Sequence, residues 1–293
     1  MTQFIGSFSE ISANYNVALV DLWGCVHNGM AIHRGAETAL QGFRQNGGYV
    51  VLVTNAPRPR DAVQARLDEM GLARDAYDAI ATSGDAAQEA MLIGAVGQRI
   101  WHLGPQKDDG FFTDLPEWAK DHAPITRVGF EEAEGIVCTG PFDEMNEVPA
   151  DYRGRFLSAK ARGLQLLCAN PDIVVDYGDR RIYCAGALAQ LYDEMGGESL
   201  YFGKPHPPIY DLARRLAAQA GLRLIEDRVI AIGDGIATDI KGGAGEGFDT
   251  LFITSGLAAA EFGPDPDAPD PDRLAAWIAR QESPPTYAMA RLR

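Results

Sequence analysis

Short apolar runs that stop abruptly at polar residues recur along the chain and constrain its fold more than any other feature. Residues 17–20 read Val-Ala-Leu-Val and stop at Asp21, residues 49–53 read Tyr-Val-Val-Leu-Val and stop at Thr54, and residues 229–232 read Val-Ile-Ala-Ile. Runs this short, without polar alternation, are typical of strands buried on both faces of a parallel sheet. Helical stretches lie between them. The alternation predicts an α/β protein with a Rossmann-like, doubly wound parallel sheet.

The strand–helix alternation occupies both ends of the chain, whereas the middle carries elements of its own. Apolar runs at residues 135–139 and 164–168 predict further strands there. A middle segment of this length is large enough to form a separate domain. We therefore expect a core built from residues 1–80 and 200–293, with residues 81–199 inserted as a second α/β domain.

The amino-acid composition argues against some classes of binding partner and indicates a cellular compartment. The 293 residues include 26 basic and 41 acidic ones, for a net charge of −15, and no basic cluster is present. This balance argues against binding to nucleic acid or to an anionic membrane surface. The four cysteines form no C-x-x-C pair, which is typical of reduced thiols. Without a signal-peptide pattern or an apolar run of about 20 residues, we expect a cytoplasmic protein.

Polar residues at or just after the ends of the predicted core strands carry the chemistry. They are Asp21, Thr54, Lys204, Asp234 and Asp239. The carboxyl ends of parallel strands form the edge where open α/β sheets bind ligands. Taken one at a time, each residue is equally explained as a turn, a helix cap or a solvated side chain. Their joint occurrence at strand ends is what favours a functional site.

The charges of these residues predict a bound dication. Three carboxylates and one ammonium group sum to −2 if they converge. Carboxylate oxygens suit Mg²⁺, which also shares the oxygens of a phosphate substrate. An aspartate nucleophile that forms an aspartyl-phosphate is an established covalent route. The pattern therefore indicates Mg²⁺-dependent attack of a carboxylate on a phosphate group.

The motifs resemble those of the haloacid dehalogenase superfamily. Residues 21–24, Asp-Leu-Trp-Gly, are similar to motif one, and residues 51–55 are similar to motif two. Residues 203–205, Gly-Lys-Pro, resemble motif three, and residues 233–239 resemble motif four. The long insert, which contains Ala-Asn-Pro-Asp at residues 169–172, resembles the C2-type cap of the nitrophenylphosphatase-like class IIA branch.

The resemblance implies a role for each matching residue. Asp21 would be the nucleophile and a Mg²⁺ ligand, together with the backbone carbonyl of Trp23 and with Asp234, and Asp239 would support the metal site. Lys204 would stabilise charge. Thr54 and Asn55 would position the phosphoryl group. Asn170 and Asp172 would belong to a substrate-facing cap loop, although Asn-Pro-Asp is equally a turn sequence. Similar proteins often pair through the cap, which gives a homodimer as a further expectation.

Trp23 departs from the pattern of the family's phosphatases, which carry an aspartate at this position as general acid and base. Indole cannot transfer a proton in that way. Three interpretations follow: a phosphatase that is slow or restricted to leaving groups that need no proton, a dehalogenase-type hydrolase, or a degenerate protein that binds a phospho-ligand without turnover. The retained Asp234 and Asp239 argue against the dehalogenase, which needs no metal.

His27 is a candidate substitute for the missing acid–base group, because it follows Asp21 closely in the sequence. The alternative, which we favour, is a solvated histidine in a turn of a mobile flap after the first core strand.

Overall fold

The computed structural model describes residues 2–122, 124–177, 180–222 and 228–293. Its strands are β1 (Gln3–Phe4), β2 (Val17–Val20), β3 (Tyr49–Thr54), β4 (Ala79–Thr82), β5 (Arg99–Leu103), β6 (Thr126–Arg127), β7 (Gly135–Cys138), β8 (Gln165–Cys168), β9 (Val174–Tyr177), β10 (Arg180–Tyr183), β11 (Glu198–Tyr201), β12 (Val229–Gly233), β13 (Asp249–Ile253) and β14 (Tyr287–Met289). Its α-helices are α1 (Arg34–Gln45), α2 (Arg60–Glu69), α3 (Ser83–Leu92), α4 (Gly110–Thr113), α5 (Arg153–Ala161), α6 (Ala185–Glu194), α7 (Pro207–Gln219), α8 (Lys241–Gly245) and α9 (Pro271–Ile278).

The chain divides into two compact units. The first contains Met1–Thr54, Gln64–Ala81 and Tyr210–Arg293, and the second contains Asn55–Val63 and Thr82–Ile209. In the part of the chain that the structure describes, no helix is both long enough and apolar enough to cross a membrane.

The first unit is built on a seven-stranded sheet in the order β1-β14-β13-β12-β2-β3-β4. Strand β2 pairs in parallel with β12 on one side and with β3 on the other. All residues of β2 and β12 are buried, as their unbroken apolar sequences predict. Helix α1 buries Ala36, Leu40 and Phe43, a spacing that puts them on one face of the helix.

The second unit contains a parallel five-stranded sheet in the order β11-β8-β7-β5-β6 and the antiparallel pair β9 and β10. Successive buried residues of the sheet face opposite sides. Ile136 and Cys138 pack in a cluster with Phe156 of α5, whereas Val137 packs in a second cluster with Met91 of α3. Helices therefore cover both faces of this sheet, which explains why the central strand β7 is apolar and buried throughout.

These features confirm the predicted α/β class, with a Rossmann-like parallel sheet and a second α/β unit inserted in the sequence. The predicted strands at residues 17–20, 49–53 and 229–232 lie within one residue of the observed bounds. The segment after Asp234 differs in detail, because a π-helical turn, Ile236–Ile240, precedes α8. π-helical turns are rare in proteins, and those that do occur often lie at functional sites.

Candidate active site

The sheet order brings Asp21 and Asp234 side by side. Each residue follows the last residue of its strand, and β2 and β12 are neighbours in the sheet, with Val20 opposite Ile232. The backbone N–H of Asp21 donates a hydrogen bond of 2.8 Å to the carbonyl of Ile232. Residues that are 213 positions apart in sequence are thus fixed next to each other by the parallel ladder itself.

Asp239 completes a cluster of three carboxylates. One oxygen from each of Asp21, Asp234 and Asp239 lies within 4.8 Å of the others, and all three residues are buried, with 7%, 5% and 4% exposure. At an effective dielectric constant of about 20, two unit charges at this distance repel by about 3–4 kcal/mol. A buried cluster of like charges therefore calls for a cation. Oxygen ligands alone, on rigid backbone, fit Mg²⁺.

Backbone groups hold the acidic side chains in place. The N–H of Leu257 donates to Asp234 Oδ2 at 2.9 Å, and the N–H of Gly235 donates to Asp239 Oδ2 at 3.0 Å. Gly24, at φ +76°, and Gly256 both pack so closely on the Asp234 carboxylate that an added Cβ would overlap it. Sequence reasoning missed these supports, and the glycine at the end of motif one, Gly24, was the sequence signal that could have indicated one of them.

The indole of Trp23 lies half-buried within the loop that follows β2. It contacts the His27 ring edge-on, with 5.3 Å between ring centroids, and it packs so closely on Gly29 that a Cβ there would overlap it. Backbone bridges join Trp23 to His27 and His27 to Ile32. The side chain at the position of the usual acid–base aspartate is therefore part of the packing of this loop.

His27 is buried, at 6% exposure, so the expectation of a solvated histidine was wrong. Its Nδ1 accepts a hydrogen bond of 2.9 Å from the N–H of Gly29. Burial, with smaller contributions from the neighbouring His33 and Arg66, lowers the pKa of His27 to about 4. The expected turn around His27 is present, but the loop residues cover the imidazole ring and bury it.

Thr54 is the last residue of β3 and is buried, at 7% exposure. Because β3 pairs with β2 in a register that puts Leu52 opposite Val20, Thr54 lies at the same edge of the sheet as Asp21. The first unit thus brings together Asp21, Thr54, Asp234 and Asp239 at one sheet edge, as the sequence pattern predicted.

The second unit brings together the other predicted residues. Lys204 and Asn55 are buried, at 4% and 3% exposure. Asn55 Oδ1 accepts from the N–H of Lys204 at 2.7 Å, and Asn55 Nδ2 donates to the carbonyl of Lys204 at 3.1 Å and to Asp172 Oδ1 at 2.8 Å. Asn170 Oδ1 accepts from the N–H of Asp172 at 3.0 Å, which is the turn contact that Asn-Pro-Asp favours.

Comparison with known proteins places the chain among relatives of defined chemistry. Residues 18–115 match the family described as haloacid dehalogenase-like hydrolase, and residues 201–279 match the related HAD-hydrolase-like family. A hydrolase of the haloacid dehalogenase-like family from Brucella suis 1330 is 36% identical, with a TM-score of 0.84, over 99% of this chain and 100% of that one.

Two further relatives are named for their activity. An acid sugar phosphatase from Staphylococcus haemolyticus is 29% identical over 85% of this chain and 88% of its own length. The p-nitrophenyl phosphatase from Archaeoglobus fulgidus has the same fold, with a TM-score of 0.70 and 20% identity over 95% of this chain and 97% of that one.

Proposed function

The chain belongs to the haloacid dehalogenase-like hydrolase family, and on that premise we propose that this phosphatase hydrolyses a small phosphorylated metabolite with Mg²⁺, through an aspartyl-phosphate at Asp21. The observation that carries the proposal is the cluster of Asp21, Asp234 and Asp239, whose three buried carboxylates lie close enough together to hold one cation. The proposal includes a catalytic core of residues 1–80 and 200–293, a cap of residues 81–199, and a homodimer formed through the cap.

Mg²⁺ would be held by the carboxylates of Asp21 and Asp234 and by the backbone carbonyl of Trp23, with Asp239 supporting the site. Bound there, the ion would supply positive charge to the negatively charged nucleophile and phosphate. The hydrogen bonds from Leu257 to Asp234 and from Gly235 to Asp239 support this role, because they fix ligand oxygens before any ion arrives.

Each residue of the site would carry out a different part of the reaction. A carboxylate oxygen of Asp21 attacks phosphorus, and the bond from phosphorus to the leaving oxygen breaks. Water then cleaves the acyl phosphate and releases inorganic phosphate. Thr54 donates a hydrogen bond to a phosphoryl oxygen, and the ammonium group of Lys204 stabilises the negative charge. Substrate contacts in the cap are assigned to the loop that contains Asn170, in which the carboxylate of Asp172 already accepts a hydrogen bond from Asn55.

Trp23 decides which substrates are turned over well. A positioned acid–base group contributes about 10²–10⁴-fold, and the indole provides none. We propose that nitrophenyl phosphates and acyl phosphates, whose leaving groups depart without a proton, are hydrolysed far faster than alkyl phosphates. The packing of the indole against His27 and Gly29 supports this, because the side chain at this position is committed to the loop.

The test is a phosphate-release screen over phosphorylated metabolites, nitrophenyl phosphate and acetyl phosphate, with and without Mg²⁺. Asp21→Asn is the blank, and we expect it to lose more than about 10³-fold in turnover, since even a single stabilising donor is worth about 10²–10³. Asp68→Asn, which removes the exposed partner of Arg74, is the matched control and should retain full activity.

A rapid-quench measurement with ³²P-labelled substrate separates turnover from binding. We expect a Mg²⁺-dependent burst of labelled protein in the wild type and none in Asp21→Asn. Tight binding of a phospho-ligand without any burst would identify a degenerate binding protein instead. Equal rates on nitrophenyl and alkyl phosphates would contradict the assignment of Trp23.

A further inference from the structure

A continuous chain of hydrogen bonds runs through the second unit from the cap loop to the backbone of Lys204. Asp172 accepts from the Asn55 amide at 2.8 Å. The same amide both donates to the carbonyl of Lys204 and accepts from its N–H. At the other end, Asn170 Oδ1 accepts a hydrogen bond from the N–H of Asp172.

The contact between Asn55 and Lys204 is a paired amide contact, in which one planar side chain satisfies both backbone groups of a single residue. The amide nitrogen of Asn55 has two N–H groups. One goes to the carbonyl of Lys204 and the other to Asp172, so this nitrogen is fully used. Because Asn55 is 3% exposed, a lost partner would leave a buried donor unsatisfied, which is more costly than the loss of an exposed hydrogen bond. Asp172 therefore supplies the third of the hydrogen bonds that hold the Asn55 amide in this orientation.

The far end of the chain of contacts is anchored in the core of the second unit. Cys168, the last residue of β8, donates from Sγ to the carbonyl of Asn170 at 3.3 Å, and the Cys184 thiol contacts the Asn170 side chain. Burial raises the pKa of both thiols, so both remain protonated. Gly186 of α6 packs on the carbonyl of Pro171 so closely that a Cβ would overlap it. The loop that presents Asp172 is therefore rigid.

We infer that Asp172 and Asn55 are positioning residues that fix the backbone of Lys204, and that Asp172 acts as a hydrogen-bond acceptor instead of a charged ligand of the substrate. The inference rests on the proposed function in taking Lys204 as the catalytic cation. It assigns to Asn55 and Asp172 a role different from the phosphoryl and substrate contacts that the sequence resemblance implied. The assignment predicts that the geometry of the Asp172 acceptor matters and that its charge does not.

Amide hydrogen exchange tests this without reference to activity. Residue 205 is proline, and the first two residues of a peptide lose their label, so a peptide covering residues 201–206 reports the N–H groups of Gly203, Lys204 and His206. We expect Asp172→Ala to speed exchange of the Lys204 N–H by about 2–10-fold, the range of one net hydrogen bond. Asp172→Asn keeps a carbonyl acceptor and should stay within about 2-fold of the wild type.

Asp109→Ala is the matched control, because it removes an aspartate of the same unit that pairs with Arg127 instead. It should leave the exchange of residues 203–206 unchanged. Exchange in α5 monitors the folding of the unit in every variant. Unchanged Lys204 exchange in Asp172→Ala, with α5 intact, would overturn the inference.

Kinetics supply the second readout. We expect Asp172→Ala to lower kcat by about 10-fold with KM within 2-fold, and Asp172→Asn to restore kcat. A large rise of KM in Asp172→Asn would instead make Asp172 a charged substrate ligand and refute the positioning role. If no protein in the series releases phosphate, the proposed function fails, and the exchange data still decide whether Asp172 positions Lys204.

Discussion

The two parallel sheets of this protein both carry polar side chains at their carboxyl edges, but they balance charge in opposite ways. At the edge of β2 and β12, three buried carboxylates lie together within 4.8 Å. At the edge of β8 and β11, one carboxylate meets the side-chain amide of Asn55 and the backbone of Lys204. On the proposed function, the first edge binds a cation between its carboxylates, whereas hydrogen bonds within the chain hold the groups of the second edge. The first is a reactive edge and the second a positioning edge.

The largest expected effect comes from giving the reactive edge the proton donor that it lacks. We expect Trp23→Asp to raise turnover of an alkyl phosphate by about 10²-fold, the lower end of what a positioned acid–base group contributes. Trp23→Asn is the control, since it loses the same packing against His27 and Gly29 without gaining an acid. Equal alkyl phosphate turnover in the two variants would show that more than the missing acid limits the reaction.

Mg²⁺ binding should stabilise the reactive edge and leave the positioning edge unaffected. At 100 times its Kd, the ion adds about 2.7 kcal/mol to the free energy of unfolding. We expect Asp239→Asn to lose most of this gain, yet to be more stable than the wild type in EDTA, because it relieves like-charge repulsion. Asp172→Asn should keep the full gain. Melting curves with Mg²⁺ and with EDTA make the measurement, and an Asp239→Asn variant less stable in EDTA would argue against the repulsion.

The unit that holds the positioning edge has an acid-sensitive residue in β5. Burial lowers the pKa of His102 to about 4, aided by the charge of Arg127. Between pH 6.5 and 4 the unfolded chain binds the proton more readily, so this residue's contribution to stability is present above pH 6.5 and is lost as the pH falls towards 4.

We therefore expect His102→Gln to reduce the loss of stability between pH 7 and pH 5 by at most about 2 kcal/mol, since the ring is only partly buried. Denaturant unfolding at the two pH values measures it. The exposed His122→Gln is the control. A pH dependence identical to that of the wild type would exclude His102 as its source.

The smallest expected effect is at His27. Its buried ring accepts from Gly29 and contacts Trp23, which accounts for the residue without a catalytic role. We expect His27→Gln to keep kcat on nitrophenyl phosphate within about 2-fold, because the residue supplies none of the 10²–10⁴-fold of an acid–base group. A loss of 10²-fold or more in a folded variant would make His27 the substitute acid–base residue.

The sequence predicted the residues of the reactive edge more completely than the contacts of the positioning edge. Apolar runs that end at Asp21, Thr54 and Asp234 give strands and strand ends directly, and parallel strands necessarily bring their carboxyl ends to one edge. The hydrogen-bond partner of each side chain could not be predicted in this way. Nothing near Asn55 in the sequence indicates that its amide pairs with Lys204, 149 residues away. The burial of His27 likewise depends on how its loop closes.

By itself, the sequence determined the α/β class, the buried strands and the acidic residues at their ends, because burial on both sheet faces and strand-end chemistry are local properties of the chain. Tertiary structure alone decided that the Asp234 carboxylate is wedged between Gly24 and Gly256 and that Asp172 orients Asn55. Such contacts depend on strand order and on the paths of loops. Neither the close packing of a glycine on a carboxylate nor the direction of one side-chain amide produces a periodic pattern in the amino-acid sequence.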